Sequence, residues 1–126
     1  MKKIISTTAA PAPIGPYNQA TLSGNTLYTS GQIAIDPATG KLFKGSIEDE
    51  TTLVMKNLEA VLKAADMTFE DIVKTSIFIS DMENFSKINA IYGNYFNDET
   101  APARETVEVA NLPKYVNVEI SAIAIK

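Results

Sequence analysis

Apolar positions along this chain fall into short runs and longer periodic stretches, and the spacing within each decides what it can become. From Gln19 onward two apolar runs, Ala20 to Leu22 and Thr26 to Ile35, flank Ser23-Gly24-Asn25, which predicts a β-hairpin. Asp36-Pro37-Ala38-Thr39-Gly40 then reads as a turn. A helix is expected to begin near Ser46, which can cap it, with Asp49 three residues on and Glu48, Asp49 and Glu50 near the positive end of the dipole. Val54, Leu58, Val61, Leu62 and Ala65 recur at helical spacing, so they face a core, while Lys56, Glu59 and Lys63 face water. Ile72 to Ser80 has the composition of a strand. A second helix, roughly Met82 to Phe96, lays Phe85, Ile88, Tyr92, Tyr95 and Phe96 along one side. Thr106 to Ala110 and Asn117 to Ile125 alternate and are rich in β-branched residues, the mark of strands.

Two helices separated by strands predict an α+β sheet with both helices packed on one face. The opposite face then needs another cover. Taking that face to carry Thr75, Ile77 and Ile79, with no third helix to hide it, we expect burial against sister subunits. No repeat, low-complexity tract or linker interrupts residues 1–126, which are expected to form one domain around one core. The proline-rich stretch from Ala10 to Pro16 lies too near the N-terminus to divide domains and reads as an ordered loop.

Composition narrows the chemistry. With no cysteine and no histidine the chain has no disulfide, no thiolate nucleophile and no Ser/His/Asp triad, and a zinc site would have to be built from carboxylates alone, which is unusual for that metal, so no metal site is expected. Any acid or base must be a carboxylate, a lysine, a tyrosine or water. A net charge of −4 with scattered lysines argues against a nucleic-acid surface. The apolar pair Ile4-Ile5 is far too short for a signal peptide or a membrane span, which makes the cytoplasm the expected location. No phosphate-binding or dinucleotide fingerprint occurs, so the site is expected to work without a cofactor.

Among the eleven cationic residues Arg104 is the single arginine, set in Ala101-Pro102-Ala103-Arg104-Glu105-Thr106-Val107. A rigid bidentate fork fits a carboxylate ligand; on the residues alone a structural salt bridge or a solvated surface arginine accounts for it as well. Strand alternation puts Glu119 on one face with Asn117, Ser121 and Ile123, opposite the apolar Val118, Ile120, Ala122 and Ala124, so it should be partly shielded. Glu108 is a weaker case of the same kind. Asn89 falls within the apolar stripe of the second helix and is expected to point inward, either toward a ligand or to pin a loop. Tyr17 after Gly15-Pro16, and Ser30-Gly31 inside an apolar run, suit backbone approaching a ligand closely, though packing and a bulge explain them as well.

Taken together, Ala12-Pro13-Ile14-Gly15-Pro16-Tyr17, Ser30-Gly31-Gln32-Ile33, Asp71-Ile72-Val73-Lys74-Thr75, Pro102-Ala103-Arg104, Val107-Glu108-Val109-Ala110 with Leu112-Pro113, and Val118-Glu119-Ile120 resemble the reactive-intermediate deaminases of the Rid/YjgF family, RidA type, over nearly the full length. The resemblance implies a chorismate-mutase-like fold, a homotrimer with clefts between subunits, and hydrolysis of 2-iminopropanoate and 2-iminobutanoate to 2-oxo acids and ammonia. These imines arise from pyridoxal-phosphate dehydratases and damage other pyridoxal-phosphate enzymes if they persist. By the same resemblance Arg104 binds the carboxylate, Glu119 is the acidic residue, and Tyr17, Ser30, Gly31, Asn89 and Thr106 complete the cleft. Thr106 stands where many relatives carry cysteine, so a thiol is not required. Ser121 replaces a common glutamate, and the short loop from Asn97 to Ala101 bears on substrate size. A non-catalytic trimer that senses a carboxylate metabolite remains a rival reading, and a ribonuclease fits the acidic chain poorly.

Overall fold

A computed structural model describes residues 1–126. Six strands and two α-helices follow one another as β1 (Lys2–Ile5), β2 (Ala20–Ser23), β3 (Thr26–Thr29), α1 (Ile47–Ala64), β4 (Ile72–Ile79), α2 (Phe85–Gly93), β5 (Ala103–Glu108) and β6 (Val118–Ile125). The strands form one mixed sheet in the order β1-β2-β3-β6-β4-β5. All neighbours are antiparallel except β4 and β5, which are parallel because α2 carries the chain back between them. No helix is long and apolar enough to cross a membrane.

Helix α1 starts where its cap predicts. The Ser46 hydroxyl accepts from Asp49 N–H at 3.1 Å, satisfying one of the free amides of the first turn. Beyond the other end Asp66 takes a left-handed φ of 57°, and Met67 N–H reaches back to the Leu62 carbonyl at 2.9 Å. Val54, Leu58, Val61 and Leu62 are wholly buried against Val118, Ile120, Ala122 and Ala124 of β6, as the two periodicities require. Ile77 and Ile79 of β4 and Ile88 and Tyr92 of α2 belong to the same core, so both helices lie on one face of the sheet.

The face left uncovered is not the one the sequence suggested. Thr75, Ile77 and Ile79 lie beneath the helices, with the Thr75 hydroxyl 2.8 Å from the Tyr92 hydroxyl. Lys74, Ser76 and Phe78 face the open side, beside Glu119, Ser121 and Ile123. The unbroken run Ile77-Phe78-Ile79 conceals its alternation, and a register shift between Ile72 and Lys74 resets the parity.

Several element boundaries also differ, and one strand is new. The hairpin's second strand stops at Thr29; residues 30–35 carry only isolated bridges, from Gln32 to Ile120 and from Ile35 to Leu42. Two carbonyls freed in that stretch, those of Ile33 and Ile35, accept from the buried Asn57 amide at 3.1 and 3.0 Å. The second helix is shorter than its apolar stripe, with a 3₁₀ turn at Met82–Asn84 before it and tightened bonds from Asn94, Tyr95 and Phe96 after it. Strand β5 begins three residues earlier than the alternation indicated and ends two earlier. Strand β1 was not anticipated, because adjacent isoleucines after two lysines show no alternation; it forms an edge whose charges disfavour pairing with other chains.

Candidate active site

The residues singled out by sequence gather in two separate places. One is a cavity of about 390 Å³ walled by Tyr17, Ser30, Gly31 and Glu119 together with Ile33, Ile35 and Pro113. Gly31 is needed there for space. A Cβ built on it would lie 2.6 Å from Glu119 Cδ and 2.9 Å from Oε1, inside van der Waals contact. The carboxyl of Glu119 is half-buried against this backbone, and burial alone raises its pKa above the ordinary carboxylate value. The Ser30 hydroxyl is already committed to the Asn18 carbonyl at 2.5 Å, whereas the Gly31 N–H donates to no group of the chain. What this corner offers a ligand is a backbone donor beside a carboxylate whose affinity for a proton is raised by burial.

Gln19 builds the wall that carries Tyr17, and sequence reasoning passed over it. Its buried amide accepts from Thr7 N–H at 2.7 Å and donates to the carbonyls of Thr7, Ala10 and Pro11 at 2.9, 3.2 and 2.9 Å. These bonds hold the proline-rich stretch as an ordered loop without regular secondary structure. The available signal was an amide just after a loop that has few backbone donors of its own.

The second place is a cavity of about 320 Å³ near the edge strand β5, lined by Arg104, Asn89, Tyr92, Phe96 and Asp98. Arg104 Nη1 donates to Asn89 Oδ1 at 2.6 Å, and the guanidinium lies 5.6 Å from the Phe85 ring centre and 5.1 Å from that of Tyr92. Burial raises the Tyr92 hydroxyl above its usual pKa, against the opposing effects of the Thr75 bond and the Arg104 charge, so it stays protonated at neutral pH. No carboxylate bonds to Arg104. The one ion pair in the chain joins Lys74 to Glu105 at 3.3 Å, on the opposite side of the sheet. A structural salt bridge is therefore absent from the folded chain, while the exposure of Arg104 fits the other bland explanation, a solvated arginine.

Asn89 does not point inward. Ile88 and Tyr92 occupy the buried side of α2, and Asn89 lies on an exposed flank turned toward β5, where it meets Arg104. Glu108 is exposed and accepts from Met82 N–H at 2.7 Å, a cap for the turn that leads into α2. The Thr106 hydroxyl, two residues along β5 from Arg104 and on the same face, is buried with no hydrogen-bond partner. Phe85 and Tyr92, read from sequence as core alone, also form the aromatic bed of the guanidinium.

Sheet register decides how the two places relate. Arg104 pairs with Thr75, on the helix side, while Glu119 pairs with Phe78, on the open side. Within one chain the two residues thus lie on opposite faces of the sheet, in different cavities.

An open-faced mixed sheet under two helices, with a free arginine near one edge and a shielded carboxylate on the bare face, defines a class of small α+β proteins. Residues 7–126 match the family model described as Endoribonuclease L-PSP. The chain belongs to that family, the Rid/YjgF proteins. It is 49% identical over 126 residues to a RutC family protein of Pyrococcus horikoshii, covering 100% of this chain and 99% of that one. It is 45% identical to the 2-iminobutanoate/2-iminopropanoate deaminase of Mus musculus, over 100% of this chain and 93% of the relative. The crystal structure of Escherichia coli TdcF with bound serine superposes with a TM-score of 0.92 at 41% identity, covering 98% of each chain.

Proposed function

We propose that this protein hydrolyses 2-imino acids with small side chains, 2-iminopropanoate and 2-iminobutanoate, to 2-oxo acids and ammonia; the murine relative is named a deaminase of these two compounds. The observation that carries the reading is Arg104: an arginine oriented by neutral partners, with no carboxylate of its own chain, can take a ligand's carboxylate in a bidentate grip. The murine and archaeal relatives and a serine-bound neighbour align over essentially the whole chain.

A site with Arg104 and Glu119 acting on one substrate needs both faces of the sheet. That favours a homotrimer whose clefts join the Arg104 cavity of one subunit to the Glu119 cavity of the next. In such a cleft Arg104 and the Gly31 N–H hold the substrate carboxylate, while Tyr17, Asn89 and the free hydroxyl of Thr106 fix the remainder. Glu119 takes a proton from water as its oxygen adds to the iminium carbon, and the C=N electron pair moves to nitrogen. The protonated Glu119 then gives that proton to the amine. The C–N bond breaks with its pair on the departing ammonia, the hydroxyl proton returns to Glu119, and the carbonyl forms. A carboxyl whose affinity for protons is raised by burial suits this double duty. Positioning supplies the remainder of the acceleration, because a protonated imine is already electrophilic. Removing such imines as dehydratases release them would spare neighbouring pyridoxal-phosphate enzymes.

The decisive experiment couples the protein to threonine dehydratase and follows 2-oxobutanoate. Faster appearance than in the dehydratase control is expected; an unchanged rate would leave a carboxylate-binding sensor as the better reading. The shared cleft is tested by mixing two inactive variants, Arg104→Ala and Glu119→Gln, under conditions that exchange subunits. Random assortment should restore about a quarter of the sites. A mixture as inactive as its parents would exclude a site shared between subunits.

A further inference from the structure

Glu50 stands in the first turn of α1, buried, and no cation meets it. Both of its carboxylate oxygens are taken by one residue: Oε2 accepts from Asn117 N–H at 2.9 Å and Oε1 from Asn117 Nδ2 at 2.7 Å. Ser80 holds Asn117 from the other side, its N–H donating to the Asn117 carbonyl at 3.1 Å and its hydroxyl to Oδ1 at 3.4 Å. Asn117 immediately precedes β6, and Glu119 is the second residue of that strand.

The chain entering this clamp is strained. Lys114 and Tyr115 take φ of 55° and 56°, consecutive left-handed residues of which neither is glycine or asparagine. Leu112 and Val116 are buried at the two feet of the arch, and Pro113 between them walls the Glu119 cavity. Such an arch persists only while its ends are held. A buried carboxylate often stabilises less than apolar packing of the same volume would, and what it adds is direction.

We propose that Glu50, which touches no part of the candidate site, is a positioning residue for Glu119: by clamping Asn117 it fixes the start of β6 and so the seat of the Glu119 carboxyl against Gly31. The tolerance is narrow, because the carboxyl already occupies the space of a Gly31 side chain. A shift of about 1 Å in a reacting group can cost on the order of a hundredfold in rate.

The inference rests on the role proposed for Glu119, so its test reads that residue both with and without turnover. Asn117→Asp sets carboxylate against carboxylate. Adding Glu50→Gln restores the match, the new amide donating to the new acid while its oxygen accepts the backbone N–H. We expect Asn117→Asp to lose about tenfold in kcat with KM changed less than about twofold, and the double variant to return within about threefold of the native protein. Independently, carboxyl NMR should show Glu119 titrating above the ordinary range in the native protein and moving down toward it in Asn117→Asp and Glu50→Ala, as water reaches a loosened strand. Tyr17 is the other titratable group lining that cavity, and the facing strand presents Phe78, so the movement reports solvation of Glu119. Where Glu50→Ala does not fold, the Asp and Asp/Gln pair carry the measurement. Native kcat and native Glu119 titration in Asn117→Asp, or a double variant no better than the single, would overturn the proposal. If the native protein proves inactive on imines, the titrations still decide positioning, so the two failures are distinguishable.

Discussion

Arg104 and Glu119 are held in opposite ways. Arg104 is fixed by attraction: a neutral amide holds one nitrogen and two rings lie beneath the guanidinium, so its charge is oriented without being neutralised. Glu119 is fixed by crowding, pressed against Gly31, and burial rather than any partner changes its affinity for protons. The difference teaches that a permanent charge can be aimed by neutral contacts, whereas a titratable group is tuned by how much water it loses.

Replacing each residue should therefore fail in its own way. Arg104→Lys keeps the charge and loses the fork, so kcat/KM on 2-iminobutanoate is expected to fall by about a hundredfold or more in a protein that still folds. Near-native turnover would show that charge alone suffices. Glu119→Gln should lower kcat by about a hundredfold while KM moves less than about threefold, since the water activation proposed for Glu119 belongs to the transition state. An effect confined to KM would make Glu119 a binding group.

The same substitution carries an opposite effect on stability. Because the folded protein holds the Glu119 proton more tightly than the unfolded chain does, the ionised side chain costs stability above its folded pKa and nothing below its unfolded one. Glu119→Gln should accordingly raise Tm slightly at neutral pH, with the gain vanishing in acid. If the proposed turnover holds, the acid limb of the native kcat–pH profile is expected above the usual carboxylate range. A limb at the ordinary value would separate that limb from Glu119.

Smaller changes test the seats of the two groups. Gly31→Ala pushes a methyl into the Glu119 carboxyl and should cost about tenfold in kcat; full activity would mean that the carboxyl can move aside freely. Asn89→Ala frees the guanidinium to swing, and a rise in KM of about threefold to tenfold is expected, with kcat less affected. Unchanged kinetics would leave orientation of Arg104 to the aromatic rings.

Much of this was legible in the chain. Ser46, the stripe from Val54 to Leu62, and the strict alternation of Val118 to Ala124 determined α1, β6 and the two-helix α+β class, because capping and burial on one face depend on residues close in sequence. The rarity of arginine marked Arg104, and the order of short motifs pointed to the family. Tertiary structure alone decided the rest. Which face of β4 meets the helices was set by a register shift that local pattern does not encode, and Asn89 was turned outward by the shared demand of Ile88 and Tyr92 for the core. The separation of Arg104 from Glu119 follows from strand pairing across long stretches of chain, through β4 between them. Sequence named both charges; only the sheet, which turns successive side chains to opposite faces, showed that one chain cannot bring them to the same side.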